Sequence, residues 1–217
     1  MTKPIILLGG GGHAKVLIEL LHRLDYPLLG LLDPHYPIGE SLLGATILGD
    51  DSVLAAYDAN VIELVNGIGS LPHDSDLRRK LFNAFSAKGY AFKTLRHPTA
   101  IISPSATLMA GVQIMAGVII QASATIAENS LINSGAIIEH DCRIGRHVHI
   151  APGAVLSGTV TVGNAVHIGT GAIIIQGITI GEGSIIGAGS VITHDVAPQQ
   201  IVYPARPQYQ AINRDQP

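Results

Sequence analysis

The sequence predicts two regimes in one chain: an α/β region of alternating strands and helices, then a parallel β-helix built from six-residue repeats. Three observations predict it. An aliphatic residue recurs at every sixth position from Ile102 to Ile192, aromatic residues make up 4% of the chain with no Trp, and a glycine-rich turn at residues 9–12 follows a short apolar run. A layered core leans on large rings to fill volume, so a chain of 217 residues that lacks them fills its interior by repetition.

The α/β region comes first. Ile5 to Leu8 reads as a short buried strand, and Gly9-x-Gly11-x-x-Ala14 as the turn that opens a helix with apolar Val16, Leu17, Leu20, Leu21 and Leu24. Leu28 to Leu32 is a second strand ending at Asp33. Val61 to Val65 is a third, followed by Asn66-Gly67-Ile68-Gly69. A helix from about Asp74 to Lys88 and a strand from Phe92 to Leu95 complete the alternation of a parallel sheet. His97-Pro98 marks the hinge, because the residue before proline is pushed out of helical geometry. The expected units are therefore 1–96 and 97–217.

In the second unit, Leu108, Ile114, Ile120, Ile126, Ile132, Ile138 and their successors keep one register through Ile192, and a small or β-branched residue follows each after four positions. A helix repeats near 3.6 residues and a strand near 2, so a strict six requires short strands joined by turns at fixed intervals. Three hexads make one coil, and identical slots recur every 18 residues or so along a narrow prism.

Composition narrows the function. Thirteen Lys and Arg against sixteen Asp and Glu give a net charge of −3 with no basic run, which removes the electrostatic footprint of a nucleic-acid binder. Cys142 is the only cysteine, so neither an internal disulfide framework nor a Cys-rich zinc site is possible. The N-terminal apolar run is too short for a signal peptide and no 18-residue apolar stretch occurs, so the expectation is a cytoplasmic protein without membrane insertion.

The glycine turn lets backbone N–H groups and a helix N-terminus approach a phosphate, and an acid at the end of the second strand can accept from a ribose hydroxyl. Gly12, His13 and Asp33 are thus candidates for binding a nucleotide or nucleotide sugar, His13 either by reaching a ligand phosphate or by capping the helix. In the repeats, Asn133 and the run Glu139-His140-Asp141 break a bland surface. Acyl transfer from a thioester needs a base near neutral pH, for which histidine is suited, and Asp141 is placed to orient the ring of His140. Gly158 lies one coil above His140, where its backbone N–H is accessible to a developing oxyanion. His149 and His167 should stack on one face, half a coil from His140, so the two histidine positions meet only if neighbouring β-helices pack side by side. His147, His167 and His194 otherwise read as surface histidines, Cys142 as core, and Arg143, Arg146 and Arg206 as exposed candidates for coenzyme A phosphates.

Gly9-x-x-Gly12-His13, Asp33, Asn66-x-Ile-Gly69, His97-Pro98, the hexads around Asn133 and His140, His149 and the closing Pro204-Ala205-Arg206 together resemble the hexapeptide-repeat sugar acyltransferases of bacterial surface-glycan pathways. That group includes the bacillosamine-pathway N-acetyltransferase and the sialic acid O-acetyltransferases. The resemblance implies a Rossmann-like N-terminal domain that holds a nucleotide-linked sugar, and a left-handed β-helix that trimerises with acetyl-CoA lying between two subunits. It also implies His140 as general base with Asp141 as its partner, Gly158 as donor to the thioester carbonyl, His149 and Arg206 on the acetyl-CoA side, and Gly12, His13, Asp33 and Asn133 toward the acceptor, with no metal. The expected reaction is acetylation of the amino group of a UDP- or GDP-linked 4-amino sugar. O-acetylation of sialic acid, a zinc hydratase using three imidazoles, and a non-catalytic nucleotide-sugar scaffold are the alternatives.

Overall fold

The computed structural model describes residues 2–70 and 76–204. Four apolar residues form β1 (Ile5–Leu8), all fully buried, as a strand covered on both faces requires. The glycines end it and α1 (Gly12–Arg23) begins, with Ala14, Leu17, Ile18 and Leu21 as its buried stripe. Val16, part of the stripe expected from sequence, points outward instead, because the 3.6-residue period that places Leu17 and Leu21 inward turns position 16 away.

The chain continues through β2 (Leu28–Leu32), β3 (Ser41–Leu42), β4 (Ala45–Gly49), β5 (Glu63–Asn66), α2 (Asp76–Ala87) and β6 (Ala91–Phe92). The sheet order is β3-β4-β2-β1-β5-β6, parallel except for the β3/β4 hairpin, which has no signature in the sequence pattern. One face of the sheet carries α1; the other carries α2 and a short 3-10 helix at Asp51–Ala56, through Phe82, Phe85 and Leu54. The strand expected over 92–95 is split. Ala91–Phe92 ends the α/β sheet, whereas Leu95–Arg96 pairs with Gln113–Ile114 as the first rung of the prism.

From there the chain winds into a left-handed parallel β-helix of two-residue strands, hydrogen-bonded to the strand 18 residues away except for Ile201–Val202, which pairs 16 residues back. The first face of the prism holds Gln113–Ile114, Leu131–Ile132, His149–Ile150 and His167–Ile168; the second holds Ile119–Ile120, Ile137–Ile138 and Val155–Leu156; the third holds Thr125–Ile126, Arg143–Ile144 and Thr161–Val162. The second residue of each pair points inward, and these side chains with Val148, Ala154, Cys142 and their equivalents form the core.

Most corners also place one residue in the left-handed backbone region. Positive φ recurs at every sixth residue from 111 to 189, and glycine fills eight of these sites. Ser123, Asn129, Asp141, His147, Thr159 and Ala165 occupy the rest without that freedom. The α/β domain rests on the first face, where Leu95, Met115 and Leu131 pack with Ala14, Leu17 and Ile18.

Candidate active site

His140 and Asp141 lie at the corner between the second and third faces. The corner geometry brings them together: Asp141 has φ 60°, a conformation Asp adopts more readily than most residues, and its Oδ2 accepts from His140 Nδ1 at 2.8 Å. A carboxylate can only accept, so Nδ1 carries the hydrogen and Nε2 keeps its lone pair. Both side chains are about half exposed.

Gly158 sits one coil above. A Cβ there would lie 2.6 Å from both Cε1 and Nε2 of His140, so the imidazole occupies the space the glycine leaves. The peptide preceding Gly158 has a defined direction. The Ser157 carbonyl points into the core, where it accepts from the Cys142 thiol at 3.2 Å. In a trans peptide the following N–H points the opposite way, so the Gly158 N–H faces outward beside the His140 ring. The Gly158 carbonyl accepts from Thr159 Oγ1 at 2.7 Å and from the Gly177 N–H at 3.0 Å. Thr159 is β-branched and has φ 58°, a strained conformation worth about 1–3 kcal/mol that the corner imposes. Burial pushes the Cys142 thiol up to about 11, so it packs and orients Ser157 without being a nucleophile.

A second set of residues gathers on the first face, against the α/β domain. His149 is 7% exposed and lies next to His167, the ring centroids 4.8 Å apart. Its Nδ1 bonds the Ser70 carbonyl at 3.0 Å, so Nδ1 carries the hydrogen and Nε2 accepts from Asn133 Nδ2 at 3.4 Å. His13 neither caps α1, whose N-cap is Gly11, nor points to the glycine turn. Its Nε2 meets Gln113 Oε1 at 2.8 Å across the domain boundary. Because Gln113 Nε2 donates to the Asn66 carbonyl at 2.8 Å, Gln113 Oε1 is an acceptor and His13 donates from Nε2.

Corner and first face lie on opposite sides of the triangular section. Within one chain, His140, Asp141 and Gly158 are therefore together, His13, Asn133 and His149 are together, and the two groups are apart. His147, which sequence reads as surface, is half-buried, bonds Asn129 Nδ2 at 3.0 Å and packs edge-on to Phe82; His194 is exposed. Arg206 lies outside the described residues.

The glycine turn forms a third feature. Asp33 Oδ2 accepts from the Gly10 N–H at 2.7 Å, and Oδ1 from the N–H and Nδ1 of His35 at 2.9 and 3.0 Å. Burial pushes the Asp33 carboxyl up, but these bonds and the nearby His35 outweigh it and hold the pKa below the ordinary value. Asp33 thus fastens the turn to the end of β2. Beside it a cavity of about 140 Å³, lined by Gly9, Asp33, His35, Asp51, Ile68 and Leu77, opens at the C-terminal ends of β1, β2 and β5, where the strand order reverses. Nothing lies within 4 Å of where a Cβ would project from Gly11 or Gly12, so the N-terminus of α1 is approachable.

Burial is the largest cause that lowers the pKa of His13 to about 4, with the Arg78 charge adding to it against the Gln113 bond. Burial likewise brings His149 to about 3, helped by His167 and Arg78 and opposed by the Ser70 bond. Both rings are neutral when folded, whereas a histidine in the unfolded chain protonates near 6.5. Their contribution to stability is complete above pH 6.5 and is lost as pH falls from there through about 4 for His13 and about 3 for His149. The melting temperature is expected to be level between pH 7 and 8 and to drop measurably by pH 5; a profile flat to pH 5 would contradict this assignment.

The α/β region matches the family model described as PglD N-terminal domain over residues 4–85, and residues 123–158 and 159–194 each match bacterial transferase hexapeptide (six repeats). Among solved structures, a histidine-to-asparagine variant of perosamine N-acetyltransferase from Caulobacter crescentus, in complex with CoA and GDP-perosamine, is 36% identical with a TM-score of 0.85, covering 92% of this chain and 93% of that one. The acetyltransferase domain of PglB from Neisseria gonorrhoeae FA1090, in complex with acetyl coenzyme A, is 33% identical with a TM-score of 0.87, covering 96% and 100%. WeeI from Acinetobacter baumannii AYE shares the fold at 24% identity and a TM-score of 0.83, covering 93% and 97%. Among curated proteins, no match is found.

Proposed function

Since this chain belongs to the hexapeptide-repeat sugar acyltransferases, we propose that it transfers the acetyl group of acetyl-CoA to the amino group of a nucleotide-linked 4-amino sugar, with His140 as general base. The observation that carries this reading is the His140–Asp141 pair beneath an outward Gly158 N–H. His140 Nε2 takes the proton from the sugar nitrogen as that nitrogen bonds to the thioester carbonyl carbon. Asp141 stabilises the imidazolium so formed. The Gly158 N–H stands where charge develops on the carbonyl oxygen. As the C–S bond breaks, the departing sulfur takes a proton and CoA leaves as the free thiol.

Asn133, His149 and His13 complete this site from a neighbouring subunit. The second face of the prism lies between the His140 corner and the Asn133 corner, and its outward residues, Ile101, Ile119, Ile137, Val155, Ile173 and Val191, form an unbroken aliphatic stripe. Ile101 and Val191 are 67% and 60% exposed in the single chain. Turning this stripe toward a threefold axis buries it, and the head-to-tail contacts of a ring then set the His140 corner of one subunit against the Asn133 corner of the next. The acceptor's nucleotide is assigned to the cavity at Gly9, Asp33 and Ile68 with its phosphates toward Gly12, on the same first-face side as His13.

The acceptor class is tested by following CoA thiol release with a panel of UDP- and GDP-linked 4-amino sugars beside free and CMP-linked sialic acid. Release with a nucleotide-linked amino sugar alone is the expected result. Release with sialic acid alone would replace amine by hydroxyl acetylation.

A further inference from the structure

Arg78 is the most deeply buried cation among the described residues, 4% exposed on α2. It shares the inward stripe of that helix with Phe82 and Phe85. Every hydrogen bond of its guanidinium within the described residues goes to a carbonyl oxygen: Nη1 to Asn66 at 3.0 Å and Ile68 at 2.8 Å, and Nε and Nη2 to Asn129, each at 3.4 Å. Asn66 ends β5 and Ile68 lies in the loop after it, whereas Asn129 is a prism corner in the left-handed conformation. The guanidinium therefore bolts the loop at 66–70 to the β-helix, helped by Asn66 Nδ2, which donates to the Arg78 carbonyl at 2.9 Å and to Asn129 Oδ1 at 3.3 Å.

Two carbonyls of the 66–70 segment each hold one histidine. The Asn66 carbonyl, at the end of β5, receives both Arg78 Nη1 and Gln113 Nε2, and Gln113 in turn accepts from His13. Further along, the Ser70 carbonyl receives His149 Nδ1. The two rings are consequently fixed in opposite tautomers, hydrogen on Nε2 in His13 and on Nδ1 in His149. The remaining nitrogen is Nδ1 in His13 and Nε2 in His149, the latter accepting from Asn133 Nδ2 at 3.4 Å. A loop free to shift by an ångström would release both.

We propose that Arg78 is a positioning residue: by clamping the loop at 66–70 to the prism it decides which nitrogen of His13 and of His149 carries the hydrogen, and so which atom each ring presents to the acceptor amine. The inference rests on the proposed reaction for its purpose but not for its geometry. Its charge acts in the same direction, since a buried cation beside two imidazoles keeps them unprotonated.

The test is the nitrogen-15 spectrum of histidine-labelled full-length protein at pH 7.5, with the two rings assigned through His13→Gln and His149→Gln. In the wild type the expected patterns are Nε2–H for His13 and Nδ1–H for His149; the reverse tautomer at either ring overturns the proposal without any variant. In Arg78→Lys the single ammonium cannot reach three carbonyls, and both rings are expected to show averaged tautomers with kcat lowered by up to about 100-fold and KM changed less. An Arg78→Lys protein of lower melting temperature whose tautomers and kcat stay at wild-type values would reduce Arg78 to a stabilising role and overturn the proposal. Wild-type tautomers as expected in a protein that releases no CoA with any acceptor would instead leave the clamp standing and remove the reaction.

Discussion

His140→Ala is expected to lower kcat by at least ~100-fold, measured as CoA thiol release at saturating acceptor, while the far-ultraviolet spectrum and melting temperature stay close to wild type. The side chain is half exposed and, among the described residues, makes one hydrogen bond, to Asp141, so its removal leaves no cavity in the prism and strands no buried partner there. Its own coil is joined to the one above by the backbone: Glu139 donates to Leu156, and Thr159 donates to the His140 carbonyl. A large kinetic effect with a small structural one follows from that division. A His140→Ala protein that folds normally and keeps more than a few per cent of wild-type kcat removes the general base from the account.

Gly158→Ala is expected to be nearly as damaging although it adds one methyl group, with a loss of the order of 10²- to 10³-fold in kcat and little change in melting temperature. The backbone at Gly158 is outside the left-handed region, so alanine adopts it without strain. The new Cβ, however, would stand 2.6 Å from Cε1 and Nε2 of His140, and the ring must swing away from the outward N–H to make room. Base and oxyanion donor are thereby separated. Gly153→Ala serves as the contrast: its corner is open, but its φ of 67° penalises any Cβ, so that variant should lose stability and keep its activity per folded molecule. The reverse pattern, an active Gly158→Ala, contradicts the close packing of imidazole on glycine.

The repeat was legible in the sequence because its physics is local and periodic. An aliphatic residue every six positions with small companions leads to a parallel β-helix, its hand following from the family resemblance alone, and strands from 95 to 192 pair at the 18-residue spacing that three hexads per coil demand. The same arithmetic stacks His149 on His167 and Gly158 on His140. The contacts that span the two units were not legible. His13 meets Gln113 a hundred residues away and His149 meets Ser70, and no short-range pattern encodes either pairing. Asp33 carries the signature of a ribose-binding acid, yet its two oxygens hold the Gly10 and His35 backbone, a use that spacing alone does not separate from ligand binding. The sequence does carry one signal of such a contact: an arginine at the buried position of a helix whose other inward residues are phenylalanines is a polar group that must find partners. Corner residues likewise follow a rule that the count of 25 glycines only hinted at, since the left-handed conformation at every sixth residue became visible with the backbone itself.

The separation of the two residue groups within one chain makes the shared site the central claim, and mixed oligomers test it most directly. His140→Ala and the double variant His13→Ala/His149→Gln are each inactive on this account, because one lacks the corner half of the site and the other the first-face half. Unfolded together in equal amounts and reassembled, they should regain about a quarter of wild-type activity, the share of interfaces that unite an intact corner with an intact neighbouring face in a ring. Activity in the mixture no higher than in either variant alone would mean that each chain builds its site by itself.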